Sequence, residues 1–77
     1  MEDKIRAYVL ENFLFTDDQN ALVDSESFLE KGIIDSTGIL EIIGFIEAEF
    51  NVTVEDDDMV PENLDSVNNI VAFLSKK

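Results

Sequence analysis

Apolar residues between Ser36 and Phe50 recur with the period of an α-helix. They occupy positions i, i+3, i+4, i+7 and i+11 on one helix face, and they are Ile39, Ile42, Ile43, Ile46 and Phe50. Asp35 or Ser36 can be the N-cap, because either side chain can accept a backbone N–H. The stripe therefore predicts a helix over residues 36–50. Such a helix is stable only when other elements cover its apolar face.

Two other segments have helical periodicity and are predicted to cover the stripe. One spans residues 2–15 and the other spans residues 66–74, with Asp65 or Ser66 as its cap. Residues 55–60 predict a single helical turn, ended by the restriction that Pro61 places on the residue before it. We predict an all-α fold with a single domain over residues 1–77. It is a small helical bundle with three principal helices, one short helix and a long loop between the first two principal helices.

The long loop covers residues 16–35. Thr16-Asp17-Asp18-Gln19 matches a capping box that starts at Thr16, and it predicts a short turn. The Asp, Ser and Asn side chains that follow compete with helix for backbone hydrogen bonds. We expect four apolar residues to anchor the loop to the core: Phe28, Leu29, Ile33 and Ile34. A loop this long is unusual in a small domain, so it is either functional or contains an element that the pattern does not reveal.

The charge balance excludes several classes of partner. Eighteen Asp and Glu against five Lys and Arg give a net charge of −13. A nucleic acid and an anionic membrane would both be repelled by this surface. The acidic N-terminus does not resemble a signal peptide, and no apolar run reaches the roughly 18 residues of a membrane span. We expect a monomeric, cytoplasmic protein that binds no nucleic acid and does not insert stably into membranes.

Several reactive side chains are missing. The chain has no Cys and no His, which excludes thiolate and imidazole catalysis and the usual zinc sites. The acidic run Glu55-Asp56-Asp57-Asp58 lacks the Gly and the terminal Glu of an EF-hand loop, so we expect a solvated turn and no metal site. No two carboxyl groups have sequence surroundings different enough to make one a general acid and the other a general base. We therefore expect no catalytic residues and no enzymatic activity.

The segment Gly32-Ile33-Ile34-Asp35-Ser36-Thr37 joins the long loop to the clearest helix. In general, Asp-Ser before an apolar stripe marks a helix start and nothing more. A second interpretation is that Ser36 is a modification site, because a phosphate there would lie near the N–H groups and the positive dipole end of the helix. No His or Lys adjoins Ser36 to activate its hydroxyl. A second enzyme would have to supply the base and the donor.

With this motif, the chain resembles the acyl carrier protein family over nearly all of its length. That family has a helix, a long loop and then a Gly-x-x-Asp-Ser motif that opens the next helix, which corresponds to Gly32, Asp35 and Ser36. The resemblance continues after the motif. Matching positions are Glu41, Glu47, Glu49, Phe50, Val52, Val54 and the final Ile70-Val71-Ala72-Phe73-Leu74.

The resemblance implies a function that depends on a prosthetic group. A phosphopantetheinyl transferase, for which Asp35 is a recognition residue, would attach 4′-phosphopantetheine from coenzyme A to Ser36. The thiol of this arm would carry an acyl or aminoacyl group as a thioester, so the missing cysteine is supplied by the cofactor. The implied partners are acyl- or aminoacyl-activating ligases, synthases and transferases with basic docking patches. Glu41 and Glu47 are the implied docking residues, although both can equally be solvated helix charges.

Several residues depart from the family pattern. Thr37 stands where fatty-acid carriers usually have Leu, and Gly38, Gly44 and Ala48 replace larger or acidic residues. The resemblance therefore covers fatty-acid, polyketide and specialised acyl or aminoacyl carriers, and these departures favour a specialised carrier. Two alternatives come from other classes. One is an acidic protein-interaction module without a prosthetic group, favoured by the charge of −13, and the other is a calcium buffer.

Overall fold

A computed structural model describes residues 1–77. Five α-helices follow one another along the chain: α1 (Glu2–Val9), α2 (Phe28–Lys31), α3 (Ser36–Phe50), α4 (Pro61–Leu64) and α5 (Val67–Ser75). A π-helical segment, Leu10–Leu14, continues α1, and 3₁₀ turns lie at Gln19–Ala21 and Asp56–Asp58. The prediction of an all-α fold is confirmed. None of these helices combines the length and the apolar composition that crossing a bilayer requires.

Helices α1, α3 and α5 contribute most of the buried side chains of one core. Ile42 and Ile46 from the predicted stripe are fully buried, whereas Ile39 and Phe50 lie at its edge. Burial of one such aliphatic side chain stabilises the fold by about 1.5–3 kcal/mol. The core contains Ile5, Val9, Leu10, Leu22, Phe28, Ile34, Ile42, Ile43, Ile46, Val54, Leu64, Val67, Ile70, Phe73 and Leu74.

Helices α1 and α3 run antiparallel, as three contacts along their length show. The Lys4 Nζ lies 2.7 Å from Glu49 Oε1 at one end. The rings of Tyr8 and Phe45 are stacked in the middle, with their centroids 4.1 Å apart. At the other end, the Phe13 ring lies so close to Gly38 that a Cβ there would come within 3.0 Å of Phe13 Cε1. The end of the α1 extension therefore lies beside the first turn of α3.

The end of the first helix differs from the prediction. A regular helix through Phe15 was expected, but the hydrogen bonding widens to a π-helix from Leu10, and Phe15 is left-handed with φ 54°. The Thr16 N–H donates back to the Leu10 carbonyl at 3.1 Å. This bond closes the helix end in the manner of a Schellman motif, in which the residue before the donor is left-handed. Apolar spacing alone does not reveal such a change in hydrogen bonding.

The predicted capping box at Thr16 is wrong. The short turn exists, but its cap is Asp18, whose carboxylate accepts the Asn20 N–H at 3.0 Å. The Thr16 hydroxyl instead accepts the Asp18 N–H at 3.1 Å. A Ser or Thr side chain that bonds two residues ahead forms a local turn that competes with capping.

The long loop also contains α2, which was not predicted. Ser27 caps this single turn by accepting the Glu30 N–H at 3.1 Å. Phe28 and Ile34 are buried as expected, but Leu29, expected to anchor the loop to the core, is exposed. The fold therefore has two short helices, α2 and α4, where one was predicted.

The segment before the last helix is also more helical than predicted. The turn expected at residues 55–60 is the 3₁₀ turn Asp56–Asp58, and Pro61 begins α4. Pro suits this first position because its missing N–H would have no partner there. Of the two candidate caps for α5, the structure uses Ser66, whose hydroxyl accepts the Asn69 N–H at 3.0 Å.

Candidate functional site

The candidate site is Ser36, the first residue of α3, and its side chain is exposed. The preceding residue, Asp35, is the N-cap, because its Oδ1 accepts the Gly38 N–H at 2.8 Å. That bond satisfies one of the free donors of the helix start and fixes the direction in which the chain enters the helix. The cap prediction for Asp35 is confirmed. Ser36 therefore stands on a rigid element with its hydroxyl at the positive end of the helix dipole.

The turn before Ser36 depends on Gly32. This residue ends α2 in the left-handed region with φ 69°, where a side chain would be strained. The Ile33 N–H then donates to the Phe28 carbonyl at 3.0 Å. Ile34 is buried in the core. Gly32 turns the chain, Ile34 anchors it in the core and Asp35 caps the helix. These three residues together determine the position of Ser36.

Ser36 borders an apolar groove with a volume of about 150 Å³. The groove lies between α3 and the segment that leads into and through α4. Its other lining residues are Leu29, Ile39, Met59, Val60, Pro61, Leu64 and Asp65. Sequence reasoning did not place residues 59–65 near Ser36. Pro61 could have indicated that a helix starts there. Nothing in the sequence shows where that helix, α4, packs.

The carboxylates next to Ser36 are occupied by other groups. Asp35 accepts the Gly38 N–H, and Asp65 accepts both the Ser27 hydroxyl and the Leu29 N–H. Asp35 thereby caps α3, and Asp65 holds the start of α2. Neither carboxylate is oriented as a base for Ser36. Chemistry at Ser36 would need a base from outside the chain.

Two relatives from Streptococcus suis align in sequence with this chain over most of its length. A D-alanyl carrier protein of strain 98HAH33 is 34% identical over 59 residues, which are 77% of this chain and 73% of the relative. A D-alanyl carrier protein of strain 05ZYH33 is 32% identical with the same coverage. The chain belongs to the acyl and aminoacyl carrier protein family. No family model matches the carrier's sequence.

The two glutamates that the resemblance singled out have different surroundings in this carrier. Glu41 is exposed on α3, and its backbone carbonyl lies 3.4 Å from the Tyr8 hydroxyl. Burial, and then the charge of Glu41, raise the pKa of Tyr8 above its usual range. Glu47 is half-buried, and its Oε2 accepts the Val54 N–H at 2.9 Å. Glu47 therefore has a structural task that sequence reasoning missed.

The acidic run of this carrier is also used structurally. The Asp58 carboxylate accepts the Glu55 N–H at 3.1 Å, and the Asp58 N–H donates to the Glu55 carbonyl at 3.0 Å, so the two residues close the 3₁₀ turn. The Asp58 carboxylate also bonds Lys77 Nζ at 2.9 Å, and that bond lowers the pKa of Asp58. No group of three or more acidic side chains converges in the manner of a metal site.

Proposed function

We propose that this protein carries a small acyl or aminoacyl group as a thioester on 4′-phosphopantetheine attached to Ser36. The observation that carries the proposal is the exposed Ser36 hydroxyl, fixed by the Asp35 cap and the Gly32 turn at the mouth of an apolar groove. The carrier family of the chain supports the same assignment. We infer that it acts on its cargo only through partner enzymes, in the cytoplasm where coenzyme A is available.

The residues around Ser36 fit such a group. A phosphodiester on Ser36 would lie at the N-terminus of a 15-residue helix, where the dipole favours negative charge. The apolar side chains of Ile39, Met59 and Leu64 would cover the uncharged part of the arm. When bound, the group supplies the thiol that the chain lacks. Asp35 holds the helix start rigid, and Gly32 keeps the serine turned outward.

The first experiment tests the attachment. The protein is incubated with coenzyme A, Mg²⁺ and a broad-specificity phosphopantetheinyl transferase, and its intact mass is measured. We expect the gain of one phosphopantetheine, which Ser36→Ala abolishes and Thr37→Ala, a matched change of the neighbouring hydroxyl, leaves intact. An unmodified wild-type protein beside a modified control carrier contradicts the proposal and favours an acidic interaction module. Partner binding that Ser36→Ala leaves unchanged would favour that module as well.

The size of the groove favours a small cargo. A cavity of about 150 Å³ accommodates a molecule such as benzene, and the groove has that volume. A groove of that size would cover a long fatty chain only after it widened. Because the relatives are named D-alanyl carrier proteins, we propose an aminoacyl cargo such as D-alanine in preference to a fatty acyl or polyketide cargo.

The transferase can also test cargo size, because it can transfer an acylated arm from acyl-coenzyme A. We expect acetyl and butyryl cargo to shift the backbone amide resonances of Leu29 and Leu64. A hexadecanoyl cargo should leave both residues at the positions seen with the unacylated arm. Shifts that grow steadily with chain length would show that the groove expands, and would favour a fatty-acid carrier.

We propose that Glu41 and Glu47 contribute to docking of basic partner enzymes. Exposed charges act mainly on the association rate and its salt dependence. We expect Glu41→Gln to lower kcat/KM for the transferase several-fold, with no change in melting temperature. Glu47→Gln keeps an acceptor for the Val54 N–H and isolates the effect of charge at that position. Glu11→Gln, on the α1 extension, is the matched control. Equal losses in all three variants would indicate net charge alone.

A further inference from the structure

Phe15 combines two unfavourable features. Its side chain is 82% exposed, and its backbone is left-handed with φ 54° and ψ 44°. The left-handed region is an outlier for a bulky residue, and Gly or Asn usually occupies this position after a helix. The bond that closes the helix end joins the backbones of Thr16 and Leu10, so it does not require a phenyl ring at residue 15. The ring contributes nothing to the fold that would offset either cost.

The position of Phe15 relates it to the modification site. The end of the α1 extension lies against the first turn of α3, because Phe13 touches Gly38. Phe15, two residues further along, therefore lies at the Ser36 end of the molecule. Asp17 and Asp18 follow Phe15 after Thr16, and both are exposed. An exposed ring and two carboxylates thus lie toward the same end of the molecule as Ser36, on a different element from α3.

We propose that Phe15 is an apolar anchor for the phosphopantetheinyl transferase that modifies Ser36. This inference rests on the proposed function. Any enzyme that reaches the Ser36 hydroxyl must cover this end of the molecule. A transferase that binds coenzyme A also needs cations around the phosphates of its substrate, which complement Asp17, Asp18 and Asp35. The Phe15 ring enters an apolar pocket inside that basic rim, and aromatic residues are enriched in such interface centres.

The experiment compares Phe15→Asn and Phe15→Tyr with wild type in steady-state modification by the transferase. Asn tolerates the left-handed region, so Phe15→Asn should fold and raise the melting temperature by about 4 °C. We expect its KM to rise about tenfold, as for loss of an interface anchor, with kcat unchanged. Phe15→Tyr keeps the ring and should retain the wild-type KM. Val23→Asn is the matched control. Val23 is also an exposed apolar residue, and it lies in the loop that follows the α1 extension, next to Asp24, whose carboxylate bonds Arg6.

Three results would overturn the inference. One is a KM for Phe15→Asn that equals that of the wild type. Another is a KM that rises as much for Val23→Asn as for Phe15→Asn. The third is a wild-type protein that sediments as a dimer and becomes monomeric with Phe15→Asn at unchanged KM, which would make Phe15 a self-association residue. A wild-type protein that the transferase does not modify at all rejects the proposed function and, with it, this inference. Normal modification of both wild type and Phe15→Asn rejects the inference alone.

Discussion

The two glycines inside α3 have different surroundings. At Gly38, a Cβ would come within 2.6 Å of Ile34 Cγ2 and 3.0 Å of Phe13 Cε1, so the close approach of the α1 extension and the entering loop requires a glycine. At Gly44, a Cβ would meet nothing within 4 Å. Glycine in a helix interior costs about 1 kcal/mol relative to alanine. Only at Gly38 does the packing of the fold account for that cost.

Alanine substitutions at these positions should have opposite effects on stability. We expect Gly44→Ala to raise the free energy of unfolding by about 1 kcal/mol. Gly38→Ala should lower it by about 1–3 kcal/mol, because Ile34 or Phe13 must shift. Urea denaturation at 25 °C measures both. Stabilisation by both substitutions would show that the start of α3 has more room than the structure indicates.

At the scale of the element, Asp65 connects the loop to the end of the bundle. Its carboxylate accepts the Ser27 hydroxyl and the Leu29 N–H, the latter at 3.0 Å, and its carbonyl accepts the Phe28 N–H at 2.7 Å. Helix α2 has four residues, and an isolated helix of that length is unstable in water. Its existence therefore depends on Asp65, which also lines the groove.

Removing the Asp65 carboxylate should therefore loosen α2. We expect Asp65→Ala to lower the free energy of unfolding by about 1–3 kcal/mol, since it leaves donors of α2 without partners. Hydrogen exchange at Leu29 should speed up more than exchange in α3. Asp57→Ala removes the same charge from an exposed turn and should change stability by less than about 0.5 kcal/mol. If both variants lose equal stability, the carboxylate does not hold α2.

The sequence predicted the long elements and missed the short ones for a physical reason. Helices α3 and α5 have several apolar residues at helical spacing, and their bounds were predicted within about two residues. Helices α2 and α4 have four residues each, too few to show a period, and their helical form depends on distant contacts such as the one between Phe28 and Asp65. Local motifs predicted the Asp35 cap correctly and indicated Ser36 as the candidate site. The groove could not be predicted, because it forms only when residues 59–65 pack near α3.

At the scale of the whole molecule, repulsion among the acids is the main unfavourable term that solvent can change. The net charge of −13 is spread over a body 31 Å long and 19 Å thick. The Debye length is about 30 Å at 0.01 M salt and about 8 Å at 0.15 M. At low salt, almost every pair of carboxylates on this molecule therefore repels. At physiological salt only near neighbours do.

Added salt should therefore stabilise the protein. We expect the melting temperature to rise as NaCl increases from 0.01 M to 0.5 M, and to rise at lower concentrations of Mg²⁺ because divalent ions screen better. The surface ion pair between Lys4 and Glu49 is weakened by salt, but such pairs contribute at most about 1 kcal/mol. A melting temperature that stays flat or falls with salt would contradict the dominance of repulsion.

Mild acid should also stabilise the fold. A hydrogen bond to Asp24 and repulsion by its charge raise the pKa of Glu2, so the folded chain takes up this proton at higher pH than the unfolded chain and gains stability as the pH falls. The Lys77 bond lowers the pKa of Asp58. The stability that ionised Asp58 contributes is present above the ordinary carboxyl range. It is lost as the pH falls through that range toward the lowered pKa. We expect a melting temperature that rises as the pH falls toward the ordinary carboxyl range and falls again below about 4.

Two variants separate these contributions to the pH profile. Glu2→Gln should reduce the rise in melting temperature as the pH falls toward the ordinary carboxyl range, and Asp58→Asn should reduce the fall at lower pH. A melting temperature that declines steadily from pH 7 downward would mean that lost ion pairs outweigh relieved repulsion.

The three hydrogen bonds that α2 and its cap Ser27 make to Asp65 also limit how freely the groove beside Ser36 can widen. Leu29 lines that groove, and Asp65 accepts both the Leu29 N–H and the Phe28 N–H. At about 1 kcal/mol each, three bonds leave the open form roughly 1% populated. Asp65 therefore restrains one wall of the groove beside Ser36, and loss of its bonds would leave that groove wider and more exposed to water.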